Sequence, residues 1–284
     1  MNTNSAIKEM VREKYTAIAN QSKEQNETSC CGATGCGETD VYNIMSEDYT
    51  KLEGYNADAD LGLGCGLPTE FAKIKEGDTV IDLGSGAGND VFIARKFAGE
   101  KGKVIGIDFT EAMIAKARAN AEKLGLQNVE FRQGDIDDMP VTANYADVIV
   151  SNCVLNLVPN KHKVISEIFR VLKPGGHFSI SDIVLEGELP EKWKEVAELY
   201  AGCVSGAIQK KEYLDTIKET GFTNITLQKD KAIILPDDVL ANYLSAEEIT
   251  AYKNGAVKIS SITVYAEKPA KDDRNCCEPG SGCC

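Results

Sequence analysis

Ten cysteines in a chain of 284 residues are the first chemical signal. Cys30, Cys31 and Cys36 fall in a polar, glycine-bearing stretch, and Cys276, Cys277, Cys283 and Cys284 in the final segment. Cys65, Cys153 and Cys203 stand singly in GLGCGLP, VSNCVLNL and LYAGCVSG. The start, MNTNSAIKEMVREKY, mixes charges of both signs and lacks the apolar run of a secretory signal. The cytoplasm is therefore the expected compartment, and reduced thiols the expected state. Thiolates select soft, thiophilic centres and exchange with disulfides, so metal binding or redox chemistry is the leading explanation of the count. Taken singly, each thiol has the competing reading of a small core residue.

The second signal is Asp82-Leu-Gly84-Ser85-Gly86-Ala-Gly88-Asn-Asp90, directly after the apolar run TVIDL. Asp108 ends the next such run, 24 residues beyond Gly84. Glycines let a backbone approach a ligand closely, and a carboxylate at the tip of the following strand can accept hydrogen bonds from two ribose hydroxyls. A nucleotide-like ligand is expected. The plainer alternative is a tight strand-to-helix turn. The spacing is GxGxG rather than the GxGxxG that seats a pyrophosphate. The chain's two histidines, His162 and His177, fall on helix and strand patterns where packing or surface roles are expected, and neither is assigned to catalysis.

The elements that must hold these residues follow from periodicity. From residue 79, short β-branched runs (TVIDLG, KVIGID, VEFRQGD, ADVIVSNCV, HFSISDIVL) alternate with helical stretches (NDVFIARKFA, TEAMIAKARANAEKLG, HKVISEIFRVL). Such alternation specifies a parallel sheet covered by helices: an α/β, doubly wound, Rossmann-like core. Cys153 then lies where the fourth strand ends, at the edge where open α/β sheets place ligands. Cys203 lies in a segment able to fold over that edge, and Cys65 in a glycine-flanked loop just upstream. Ala6 to Asn20 reads as an amphipathic helix, with Ile7, Met10, Val11, Tyr15 and Ile18 on one face. Residues 21–40 read as an exposed loop. LPEKWKEVAELYAGCVSGA and KKEYLDTIKETG read as helices, the latter stopped by Gly221, and NITLQKDKAIIL and KISSITVYAEK as strands completing the sheet. The expected division is an N-terminal helix and loop arm (1–63), the core (64–185), a substrate-covering α+β segment that completes the sheet (186–268) and a disordered cysteine-rich tail (269–284).

Composition narrows the partners. Hydrophobic residues at 43% and charged residues at 26% are ordinary for a globular protein, and no apolar run approaches the ~18 residues of a membrane span. The net charge of −13 repels phosphate backbones and anionic lipid surfaces, so neither nucleic acid nor membrane is an expected partner.

DxGxGxG, the acid ending the second strand, and Gly134-Asp135 after the third together resemble the class I methyltransferases. That resemblance implies S-adenosylmethionine as the ligand. Gly84, Ser85, Gly86 and Gly88 would lie along its methionine and ribose, with Asp82 preceding the turn. Asp108 would bind the ribose hydroxyls, Asp135 and Ile136 would contact adenine, and Asn152 would face the methyl. A methyl sulfonium is already activated, so an acceptor needs an exposed lone pair and in-line placement more than a strong base.

GCGLP, VIDLGSGAGND, SNCVLNLVP, RVLKPGG, FSISDIV and GCVSGA, within residues 40 to 235, are more specific and resemble arsenite S-adenosylmethionine methyltransferases. Cys36, 29 residues before Cys65, looks like that family's remaining functional cysteine. The resemblance implies that Cys65, Cys153 and Cys203 bind arsenic(III) taken from a glutathione complex. It further implies a Cys36–Cys65 disulfide that returns arsenic to the trivalent state and is reduced by thioredoxin or a similar dithiol. The tail cysteines would deliver arsenic or be dispensable. Two competing readings are a small-molecule C- or O-methyltransferase, which shares the SDI and RVLKPGG segments, and a non-catalytic thiol-based metalloid-binding protein.

Overall fold

Two apolar runs, Thr79–Leu83 (β1) and Ala146–Asn152 (β4), lie side by side and parallel, with Val80 opposite Val148 and Leu83 opposite Ser151. The computed structural model describes residues 3–21, 47–188, 206–234, 240–241, 245–255 and 257–270. The other strands are Lys103–Asp108 (β2), Val129–Gln133 (β3), Leu172–Glu186 (β5), Thr223–Ile233 (β6) and Lys258–Glu267 (β7). Together they form a seven-stranded sheet in the order β3-β2-β1-β4-β5-β7-β6. The first five run parallel, and β7 is antiparallel to both β5 and β6. The chain leaves β1 toward one edge through β2 and β3, then returns to β4 on the other side. The crevice between β1 and β4 is thus the switch point where open α/β sheets take ligands.

Seven helices accompany the sheet among the described residues: Thr3–Ala19 (α1), Pro68–Phe71 (α2), Asn89–Ala98 (α3), Glu111–Lys123 (α4), Lys161–Val171 (α5), Lys210–Glu219 (α6) and Ala246–Lys253 (α7). One face of the sheet is covered by α5 and α6, which bury Val164, Ile168 and Ile217 with Ile81, Ile149 and Phe178. The other is covered by α3, α4 and α1, whose Val91, Met113 and Ile18 cluster with Val80, Val104 and Val148. Burial on both faces explains the near-continuous apolar runs of β1 and β4. The helix starts follow their caps: the Asn160 side chain accepts from Lys163 N ahead of α5, and Ser245 with Glu248 forms a reciprocal capping box on α7.

The α/β, doubly wound architecture is the one the alternating pattern specifies. The N-terminal helix is longer at its start than its apolar spacing indicated, beginning at Thr3. No helix among the described residues is long and apolar enough to cross a membrane. The loop carrying Cys30, Cys31 and Cys36, the helix expected over LPEKWKEVAELYAGCVSGA with Cys203, and the tail cysteines lie outside the described residues.

Candidate active site

The turn after β1 is built by backbone geometry that side chains resist. Gly84 has φ +67°, and a Cβ there would collide with both methyls of Val154. Gly86 has φ +50° and faces open space, leaving its backbone bare to the crevice. The turn is pinned from β2: Gly84 N and Ser85 N donate to the Ile107 carbonyl, and Gly86 N donates to Asp108 Oδ2 at 3.0 Å. Thr110 N donates to the other Asp108 oxygen at 2.8 Å. Burial pushes the Asp108 carboxyl up, and these backbone donors pull against it.

Asp82, Gly84, Ser85, Gly86, Asp108, Asp135, Ile136, Asn152 and Cys153 all line one cavity at this switch point. Gly88 does not line it. A Cβ at Gly88 would meet the rings of Phe92 and Phe131 at 2.9 Å, so this glycine lets the start of α3 pack close to the sheet. Glu47, Asp60 and Asp90 add three more carboxylates to the lining, against a single basic residue among the described residues, Lys8. Burial, and then the neighbouring Asp90 and Asp108 charges, push Asp82 well up. Asp90 is also raised, by burial, against hydrogen bonds from Asn152, Tyr49 and Thr69. A ligand with net positive charge offsets this crowding. S-adenosylmethionine, with one carboxylate, one ammonium and one sulfonium, is such a ligand. Ser85 Oγ and Asn89 Oδ1, both in the lining, are buried without partners among the described residues, as expected of atoms awaiting a polar ligand.

The Asp135 end of the cavity is closed by α1, whose Lys8, Val11 and Tyr15 reach the lining. Lys8 Nζ donates to Asp135 Oδ2 at 2.8 Å and to Asp137 Oδ2 at 3.1 Å, so the carboxylate expected to meet adenine is held by a lysine. The far end of the helix is fixed separately, by Lys116 donating to the Ala19 and Gln21 carbonyls. Removing the Lys8 charge should free the near end. Lys8→Met is expected to speed dissociation of S-adenosylmethionine about 3- to 10-fold, because charge-assisted bonds at half-exposed sites contribute about 1 kcal/mol. A chase of labelled ligand measures this, and an unchanged rate would remove Lys8 from the gating of the cavity.

The thiols meet at the end of β4. Cys153 follows Asn152 with φ +61°, a left-handed conformation uncommon outside glycine, and its amide donates to the Ser181 carbonyl at 2.8 Å. Cys65, 1% exposed, is joined to Cys153 by a disulfide with a Cα–Cα separation of 5.8 Å. The Cys65 partner here is Cys153; Cys36, which the resemblance pairs with Cys65, lies outside the described residues together with Cys203. The reason is local: Asn152 Oδ1 accepts the Cys65 amide at 3.0 Å, drawing the GCG loop onto the strand that carries Cys153. The Asn152 amide nitrogen also donates to the Gly66 carbonyl at 2.8 Å, to Asp90 Oδ2 at 3.3 Å and to the Tyr49 hydroxyl. Asn152 thus ties the thiol loop to the cavity wall, a role its strand-end position did not reveal.

Tyr49, Asp90, Ser181 and Ser261 are site residues that sequence reasoning missed. Asp90 sits in the quoted glycine motif and could have been found there. The others carry no spacing signal, since they reach the site through tertiary contacts. His177 accepts a packing role: its Nε2 lies 2.6 Å from the Ala72 carbonyl, and its ring stacks near Tyr265.

Residues 74–221 match the family model described as a methyltransferase domain. The chain is 38% identical over 94% of its length to an arsenite methyltransferase of Halobacterium salinarum, covering 68% of that protein. It is 32% identical over 83% of its length to an arsenite methyltransferase of Aquipseudomonas alcaligenes, again covering 68%. Among solved structures, CrArsM, an arsenic(III) S-adenosylmethionine methyltransferase from Chlamydomonas reinhardtii, superposes with a TM-score of 0.62 at 31% identity, covering 80% of this chain and 72% of that one.

Proposed function

Because the chain belongs to the arsenite methyltransferases, we propose that it transfers the methyl group of S-adenosylmethionine to trivalent arsenic bound by Cys65, Cys153 and Cys203. The observation that carries this reading is the meeting of buried Cys65 with Cys153, which stands in the wall of the switch-point cavity. When bound, S-adenosylmethionine supplies an electrophilic methyl whose sulfur leaves as a neutral thioether. The chain's residues do the rest. Asp108 would orient the ribose, the bare Gly86 backbone would let the ligand lie close, and Asp135 with Ile136 would border the adenine. The thiolates would hold arsenic with its lone pair free beside the cavity wall, so placement would supply much of the rate.

Arsenic arrives as a glutathione conjugate and passes to the thiolates by ligand exchange. Methyl transfer uses its lone pair and leaves it formally pentavalent. Two thiolates then return two electrons, restoring trivalent arsenic and becoming a disulfide. The Cys65–Cys153 bond is the form that supports this step, and Cys36 is positioned in sequence to take over Cys65 by thiol exchange. A dithiol reductant such as thioredoxin completes the cycle. The test is mass-spectrometric speciation after incubating purified protein with arsenite, S-adenosylmethionine, glutathione and a thioredoxin system. Methylated arsenic is expected. Intact binding of S-adenosylmethionine with no methylated arsenic would overturn the assignment and point to a carbon or oxygen acceptor.

A further inference from the structure

The strand β7 carries hydroxyls on one face where a buried central strand would ordinarily carry aliphatic groups. Ser261 and Thr263 point the same way at i and i+2, and are 4% and 0% exposed. Thr263 Oγ1 is 2.9 Å from Ser181 Oγ on β5, its register partner, and a Cβ on Gly66 would strike that serine. Ser261 Oγ donates to the Cys65 carbonyl at 2.5 Å. Both polar groups of the Cys65 backbone are therefore held by side chains: the amide by Asn152 on β4, the carbonyl by Ser261 on β7.

We propose that Ser261 is a positioning residue for the reaction, which with Asn152 clamps the Cys65 loop so that its sulfur stands against that of Cys153. A thiol on a loop is only as effective as the fraction of time it spends near its partner. Glycines at 62, 64 and 66 allow this loop many paths; the Gly66 carbonyl is held by Asn152 and Tyr49, and fixation of both Cys65 backbone groups decides where Cys65 Sγ sits. A buried hydroxyl on β7 needs an acceptor, and the Cys65 carbonyl provides it. The link to arsenic rests on the proposed function; the effect on the thiol pair does not.

Ser261→Ala is tested by equilibrating the reduced protein in glutathione buffers of graded potential and measuring the Cys65–Cys153 disulfide by mass spectrometry of trapped peptides. Loss of the clamp is expected to lower the disulfide equilibrium constant about 10-fold, which is about 30 mV toward easier reduction for a two-electron couple. The KM for arsenite is expected to rise about 10-fold, with the KM for S-adenosylmethionine unchanged. Ser261→Thr keeps the hydroxyl and should restore both values. Ser179→Ala removes another buried hydroxyl, one without a hydrogen-bond partner among the described residues, and should move neither. If Ser261→Ala does not fold, Ser261→Val, isosteric with the Thr variant and suited to a strand interior, removes the hydroxyl instead. A wild-type disulfide equilibrium in the hydroxyl-free variant would overturn the proposal, even if its melting temperature fell. So would a Thr variant that shifts as far as the Ala variant. If the wild type methylates no arsenic, the functional assignment fails alone and the redox measurement still decides the clamp.

Discussion

A Cys153→Ser enzyme is expected to bind S-adenosylmethionine with wild-type affinity and to methylate arsenite at less than about 1% of the wild-type rate, a barrier increase of at least ~2.7 kcal/mol. The serine is nearly isosteric, so the wall it shares with Val154 and Leu157 keeps its shape. What changes is softness: a hydroxyl at neutral pH is neither ionised nor thiophilic, so arsenic loses a ligand. The thiol pair with Cys65 is lost as well, and with it the two electrons that its oxidation to the disulfide would return to arsenic in the proposed cycle. Equilibrium dialysis with labelled S-adenosylmethionine and arsenic speciation on the same preparation check both halves. The disulfide-bonded wild type should behave like the variant until a dithiol is added, then regain activity. Full activity in Cys153→Ser would move the acceptor site away from the end of β4.

Replacement of Asp108 by alanine should do the reverse, leaving arsenite binding intact and weakening S-adenosylmethionine about 100-fold, or ~2.7 kcal/mol. The carboxylate is held in place by the Gly86 and Thr110 amides and is 7% exposed. Its orientation is therefore fixed before a ribose arrives, and hydrogen bonds to a charged acceptor contribute about 1.5–3 kcal/mol each. Calorimetric titration measures the loss, with Asp108→Asn as the shape-preserving comparison. An amide places a donor toward one of the two backbone N–H groups, so the Asn variant should also bind weakly. Unchanged affinity in both would exclude Asp108 as a ribose ligand.

The parts of this site that were legible in the sequence are those fixed by local rules. The apolar runs, the GxGxG turn and an acid ending the next strand are consequences of parallel-sheet burial and backbone sterics, and each can be read within a few residues. Cys153 could be placed because a strand end has a defined position in such a sheet. The approach of Cys65 to Cys153 spans 88 residues and depends on Asn152, Tyr49 and Ser261, which periodicity cannot connect. The same limit explains Asn152 itself. Its position was read correctly, but the peptide group it accepts belongs to a loop whose path is settled only by packing. Gly88 sits against Phe92 and Phe131 rather than in the cavity lining, a distinction among the three glycines that their spacing does not reveal.

The crowded carboxylates of the cavity carry one further consequence. Burial drives Asp82 and Asp90 toward their protonated forms. A cation arriving beside them favours the ionised forms, so S-adenosylmethionine uptake and proton release are linked, and affinity rises with pH across the range in which these groups titrate. Once the methyl is gone the spent molecule has lost its sulfonium charge, and the same carboxylates hold it less tightly. The electrostatics that favour the charged donor therefore also work against retention of the discharged one.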